Sequence, residues 1–413
     1  MTDVAVSAPR LNWRRFLMVA GPGVVVMLAD TDAGSLITAA QSGAQWGYRL
    51  ILLQFMLIPI LYLVQELTVR LGIVTGKGHA QLIREHFGAF WAWVSVGTLV
   101  VSCVGALLTE FSGLTGVGAL IGVPAPLTLA LVVTLLLAMV VTHKYLTVER
   151  IAICVGAFEL VFLLVAWLAH PNGGEVVSGA LSIPLSDTNY LYLASANIGA
   201  VIMPWMVFFQ QASVVERGLT LDDLDAARLD TGIGAVVTQL VMAAALVATA
   251  ATLGHQGGDR SLNTVQEIAA AITPFLGQFG GKLLFGLGMV GASLVATIVV
   301  TLTAARAVAE TLNMPNSLDH EPREAPWFYG AYAAALLLGA VIVSANVNLV
   351  ALSVAVQVMN ALLLPIVVGF LFLLARKLPE PYRLKGVYGF VATLLTVITV
   401  AFGVFSGLAG LWS

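Results

Sequence analysis

The sequence predicts an all-helical polytopic membrane protein of eleven spans, arranged as two inverted repeats of five spans with one helix added. Three observations carry that prediction. Of 413 residues, 59% are hydrophobic and 10% charged, with a mean hydropathy of +0.95, whereas about a quarter of a soluble domain is charged. Windows of about 20 apolar residues, enough to cross a hydrocarbon core, recur eleven times. Two of them, the first and the sixth, contain groups that do not belong in lipid.

The windows lie at approximately 16–44, 47–73, 90–119, 125–142, 148–169, 189–215, 230–254, 278–309, 327–345, 347–375 and 386–411. The links are short and polar or rich in Gly and Pro, as in Gly122-Val123-Pro124-Ala125-Pro126 and His170-Pro171-Asn172-Gly173-Gly174. The reading is one transmembrane domain over 1–413, with repeats at approximately 16–169 and 189–375 and the extra helix at 386–411. Arg10, Arg14 and Arg15 precede the first apolar run, which continues through Asp30 and Asp32 without a small-residue cleavage site, so it reads as a retained span and not a signal peptide.

Basic residues set the orientation. With the N-terminus cytoplasmic, 16 of the 19 Lys and Arg residues, among them Arg70, Arg228, Arg306 and the Arg376 to Lys385 link, fall inside, and only Arg49, Arg260 and Lys282 fall outside. An odd number of spans then puts the C-terminus outside. A net charge of −3 and no long basic run argue against nucleic acid as a partner, leaving the lipid bilayer and small solutes. Cys103 and Cys154 lie in apolar runs and read as small buried side chains.

The interruption of the first window is Leu28-Ala29-Asp30-Thr31-Asp32-Ala33-Gly34-Ser35. An Asp at bilayer depth costs roughly 2.5 to 3.5 kcal/mol on insertion scales and faces a watery path or a bound cation. The expected structure is a broken helix whose freed carbonyls and carboxylates turn toward a cation; a short surface turn is the bland alternative. In the sixth window Asn197 to Trp205 bring Gly199 and Pro204 close together. Alone this reads as a proline kink; paired with the first break, it reads as the second wall of a binding site.

Asp32 supplies a hard anionic oxygen there and Ser35 a hydroxyl. Unwinding before Pro204 frees the carbonyl of Ala200, and Met203 aims a thioether into the same space or simply packs. Asp30 lines the outer part of the path or holds a second hydration shell. Gln357, alone in an apolar run, hydrogen-bonds metal-bound water or pairs with a neighbouring helix. Glu110 and Glu159 also lie at membrane depth. All six histidines fall in links or at span ends, which leaves no imidazole for an intramembrane proton relay.

These residues resemble the natural resistance-associated macrophage protein (Nramp) family of divalent metal transporters. The likeness rests on Gly21-Pro22-Gly23 leading into Asp32-Ala33-Gly34-Ser35 and Ser42 to Tyr48, on Gln65-Glu66-Leu67-Thr68-Val69-Arg70-Leu71-Gly72 through Lys77, and on Gly199-Ala200-Val201-Ile202-Met203-Pro204. It implies the eleven-helix, leucine-transporter-type fold, and it puts Asp32, Ala200 and Met203 on family metal positions and Gln357 on the glutamine of the tenth helix. There are departures. Ser35 replaces an asparagine, Trp205 and Gln210 replace two histidines, Leu107 replaces one of an acidic pair, and an arginine pair is missing from Trp327 to Val343. The losses resemble the divergent branch of Nramp-related magnesium transporters.

The resulting expectation is uptake of Mg2+, Mn2+ or both across the cytoplasmic membrane by alternating access, weakly or not coupled to protons, with no resident cofactor and no enzymatic activity. Retained Met203 points instead toward a proton-coupled Mn2+/Fe2+ symporter. A sodium-coupled carrier of organic solutes shares the broken helices, but Asp30 and Asp32 repel an anionic substrate. No intramembrane catalytic spacing supports an enzyme.

Overall fold

The computed structural model describes residues 21–140, 145–254, 261–312, 314–315, 318, 320–344 and 348–411. The start of the first window, Arg10, Arg14, Arg15, His143, Lys144, His255 and Arg260 lie outside the described residues.

The first window is two helices, α1 (Pro22–Asp30) and α2 (Ala33–Trp46), parted at Thr31 and Asp32. Pro22 sits in the first turn, where its missing N–H costs nothing. After α2, Gly47 adopts φ +57° and a single 3-10 turn leads into α3 (Ile51–Thr75). The 43 residues from Ala33 to Thr75 correspond to roughly 65 Å of helix, twice the hydrocarbon thickness, so the turn at Gly47 separates two crossings. A short α4 (His79–Phe87) follows, then α5 (Ala89–Leu120) and α6 (Ala125–Val140).

The fifth span comprises α7 (Tyr145–Gly156) and α8 (Val161–Leu168), joined by a 3-10 turn at Ala157–Leu160. Next, α9 (Gly173–Leu181) is bent by 106° from that span and is capped by the Asn172 side chain, which accepts from Gly174 N at 3.0 Å. The sixth window is α10 (Thr188–Val201) and α11 (Pro204–Glu216), broken as expected at Ile202 and Met203. The remaining elements are α12 (Leu224–Leu253), α13 (Val265–Leu276), α14 (Gln278–Thr311), α15 (Pro326–Val343), α16 (Leu349–Ala375) and α17 (Gly386–Leu411).

The bundle is apolar outside and mixed inside, as a bilayer requires. Val387 (82% exposed), Phe90 and Leu338 face outward, while Asp30, Asp32, Glu110, Gln357 and Asn360 are completely buried. The expectation for the cysteines holds for Cys103, which is buried, and not for Cys154, which is exposed on the outside of the bundle. Helices approach closely where a side chain is absent. A first side-chain carbon on Gly199 of α10 would lie 1.8 Å from the carbonyl oxygen of Gln357 in α16. Burial also settles the alternative for the first break, since Asp30 and Asp32 are at 0% exposure and form no surface turn.

Two ionic clusters tie the ends on the Lys/Arg-rich side. Glu66 of α3 accepts from Arg70 Nε at 3.0 Å, from Arg228 Nε of α12 at 2.8 Å and from Tyr388 Oη of α17 at 3.3 Å. Arg306 of α14 pairs with Glu216 of α11. The start of α1 is held differently: Asp230 of α12 accepts from Gly23 N at 2.8 Å and Gly21 N at 3.4 Å, a carboxylate seated on the positive end of a half-helix.

Candidate metal site between two broken helices

Each break leaves backbone groups that the helix cannot satisfy. Asp32 has extended backbone and caps α2, its Oδ1 accepting from Ser35 N at 2.6 Å, while its Oδ2 is buried and receives no N–H or hydroxyl hydrogen bond. In the sixth span, the helical partner of the Ala200 carbonyl would be the N–H of residue 204, and Pro204 has none. The Ala200 oxygen accepts instead from Ser35 Oγ at 3.0 Å, a bond that crosses from one break to the other. The carboxyl-terminal ends of α1 and α10 both finish at these breaks, and such ends carry partial negative charge. The arrangement is an acceptor-rich junction suited to a cation.

Met203 is fully buried with extended backbone, directly ahead of Pro204. Its sulfur accepts a hydrogen bond from the indole Nε1 of Trp205 at 3.2 Å, so one lone pair of the thioether is already engaged. Gln357 reaches the first break: a side chain on Gly34 would have its first carbon 2.6 Å from Gln357 Nε2. That nitrogen has no partner, whereas Gln357 Oε1 accepts from Asn360 Nδ2 at 2.9 Å.

Asp30 is the last residue of α1, and neither of its oxygens has a partner. It stands on the side of the break that leads back to the N-terminus. The break also gathers the two acids that sequence reasoning had placed only by depth. Glu110 accepts from Ala33 N at 3.1 Å and from Thr109 Oγ1 at 3.1 Å. Glu159, in the 3-10 turn of the fifth span, accepts from Thr31 Oγ1 at 2.9 Å.

Three contributors had escaped sequence reasoning: Thr31, Asn360 and the indole of Trp205. Asn360 was legible in principle, because it lies three residues from Gln357 on one helical face. Among the groups that departed from the family pattern, Gln210 is buried and donates to Thr231 Oγ1 at 3.1 Å, and Leu107 is buried among apolar groups.

Two helices broken at facing positions, with carboxylate, carbonyl and hydroxyl oxygens meeting between them, define a membrane carrier of the inverted-repeat, leucine-transporter type. Solved structures share that fold. A manganese transporter of Eremococcus coleocola matches with a TM-score of 0.77 at 19% identity, covering 99% of this chain and 90% of its own. MhsT in complex with L-phenylalanine matches with a TM-score of 0.65 at 14% identity over 94% of this chain and 98% of its own. The family model described as natural resistance-associated macrophage protein-like matches residues 23–408, and the chain belongs to the Nramp family. A relative from Vibrio campbellii, the divalent metal cation transporter MntH, is 27% identical over 304 residues, 70% of each chain.

Proposed function

We propose that this protein carries a divalent metal cation across the cell membrane by alternating access, using Asp32, Ser35, Ala200, Gln357 and Met203 as its seat and Asp30 as an adjacent charge. One observation carries the reading: where two broken helices meet, a fully buried carboxylate oxygen, Asp32 Oδ2, receives no N–H or hydroxyl hydrogen bond and has a second acid, Glu110, beside it. A buried anion is costly unless a cation or donor offsets it, and a carboxylate-bearing solute would be repelled there. The fold alone does not decide between cargoes, since it is shared with a protein solved with L-phenylalanine; the buried carboxylate of Asp32 supports a cation over an anionic solute. The likeness to the Vibrio campbellii divalent metal cation transporter and the Eremococcus coleocola manganese transporter agrees with a divalent metal.

Mg2+ and Mn2+ both suit a site dominated by oxygen. The engagement of the Met203 sulfur by Trp205 weakens the case for a softer metal. Weak or absent proton coupling is supported by Leu107, Trp205 and Gln210 standing where ionisable groups would serve a proton route. The metal is cargo and not a resident cofactor.

Reconstituted vesicles test the proposal directly. Mn2+ and Mg2+ should enter without acidifying the lumen, and Asp32→Asn, which keeps size but removes the anion, should abolish uptake of both while expression persists. Near-normal uptake by Asp32→Asn would move the site elsewhere, and robust metal-driven acidification would show a proton route through Glu110, Glu159 or Asp30.

A further inference from the structure

Gln357 is anchored on the side away from the break by a chain of side chains that the transport reading does not use. Ser102 Oγ, on α5, donates to Asn360 Oδ1 at 2.7 Å, and Asn360 Nδ2 donates to Gln357 Oε1 at 2.9 Å. All three residues are completely buried. The chain therefore has a direction. It ends with the unpartnered Gln357 Nε2 against Gly34, so an N–H group faces the break. That end suits a carboxylate and repels a metal ion, whether the metal binds directly or through its waters, because metal-bound water also seeks an acceptor.

We infer that Ser102 and Asn360 are positioning residues that let the Gln357 amide reverse when a cation arrives, turning its carbonyl oxygen toward the break. The inference rests on the metal-site reading above. Reversal turns each amide end for end: Gln357 Nε2 then donates to Asn360 Oδ1, and Asn360 Nδ2 donates to Ser102 Oγ. A chain of amides can run in either direction only if its last member both donates and accepts, and among side chains of this size a hydroxyl does so. With its oxygen accepting from Asn360, the Ser102 hydroxyl is free to donate to a carbonyl one turn back in its own helix, as serines in helices do. The loaded state thus gives Ser102 two bonds and the empty state one, and removing the hydroxyl weakens cation binding. Ser102 acts through Asn360 and Gln357 without touching the ion.

The test compares Ser102→Thr with Ser102→Val, which match in shape and differ in the hydroxyl, by calorimetric titration of the purified full chain with Mn2+, each in the presence of Gln357 and in a Gln357→Ala background. Ser102→Val should bind Mn2+ about three- to tenfold more weakly than Ser102→Thr, one hydrogen bond's net worth, and the two should bind alike once Gln357 is gone. A difference that persists without Gln357 is a packing effect and overturns the inference, as does equal binding with Gln357 present. Should Ser102→Val fail to fold, Asn360→Leu against wild type runs the same cycle with the same two outcomes. Failure of the underlying site would look different: Asp32→Asn would bind Mn2+ as wild type does, which overturns the site and the amide chain together.

Discussion

At the scale of single residues, the decisive contact is the hydrogen bond from Trp205 Nε1 to the sulfur of Met203. It changes what a methionine beside the candidate metal site means. A thioether that already accepts an indole N–H is a poorer ligand for a borderline metal, so Met203→Ala should weaken Mn2+ and Mg2+ to a similar, modest extent. Trp205→Phe keeps the bulk of the fully buried ring but removes the donor. It should release the sulfur and raise the preference for Mn2+ over Mg2+ by about three- to tenfold, on the order of 1 kcal/mol. Competition binding of the two ions to wild type and both variants reads the ratio directly. An unchanged ratio in Trp205→Phe would mean that the sulfur stays away from the ion in the loaded state.

At the scale of elements, the ends of helices carry the consequences. The seat of α1 on Asp230 joins two backbone N–H groups to one carboxylate. Asp230→Ala should cost about 1–2 kcal/mol at that end and appear as faster amide exchange across 23–30, with α12 itself unaffected; equal exchange would show that packing alone holds α1. The start of α4 carries a second device. His79 is buried, its Nδ1 paired with Gln211 Oε1 of α11 at 2.9 Å and its ring edge-on to Phe208. Burial lowers its pKa to about 4, only partly opposed by the Gln211 bond. In the unfolded chain the ring titrates near 6.5. Its contribution to stability is therefore complete above about pH 6.5 and is lost as the pH falls through 4, a loss of about 3 kcal/mol at most. Unfolding midpoints of the purified protein between pH 7.5 and 4 should fall more steeply for wild type than for His79→Gln, and parallel curves would rule the ring out as the cause.

At the scale of the whole molecule, the eleven-span reading carries a prediction about sidedness. The N-terminus and the Arg376 to Lys385 link should be labelled only from the cytoplasmic side and the C-terminus only from outside, by single cysteines and an impermeant reagent; labelling of both termini from one face would reject the odd span count. The broken first and sixth helices were legible because charge and proline inside apolar runs have few other physical explanations. The short helices α4, α9 and α13 were not, because a helix of 9 to 12 residues produces no apolar window of spanning length. Nor was the 3-10 turn at Ala157–Leu160, whose residues carry no Gly or Pro to mark it. In the candidate site, Asp32, Ser35 and Ala200, which the structure brings together, were singled out from local chemistry. Thr31, Asn360 and the Trp205 indole were not, since each matters through a partner that only the folded chain supplies, and the burial of His79 in a link was hidden for the same reason.

The missing hydrogen on the nitrogen of Pro204 has a reach beyond the contact it leaves open. Most vacancies in a helix are conditional: a shift of a few degrees lets the backbone close over them and withdraw the carbonyl. Here the withdrawal is barred by covalent structure, so through every rearrangement that a transport cycle demands, the Ala200 oxygen cannot be reclaimed by residue 204 of its own helix. The break keeps this acceptor by subtraction, and its opening is stored in a bond the chain was never able to form.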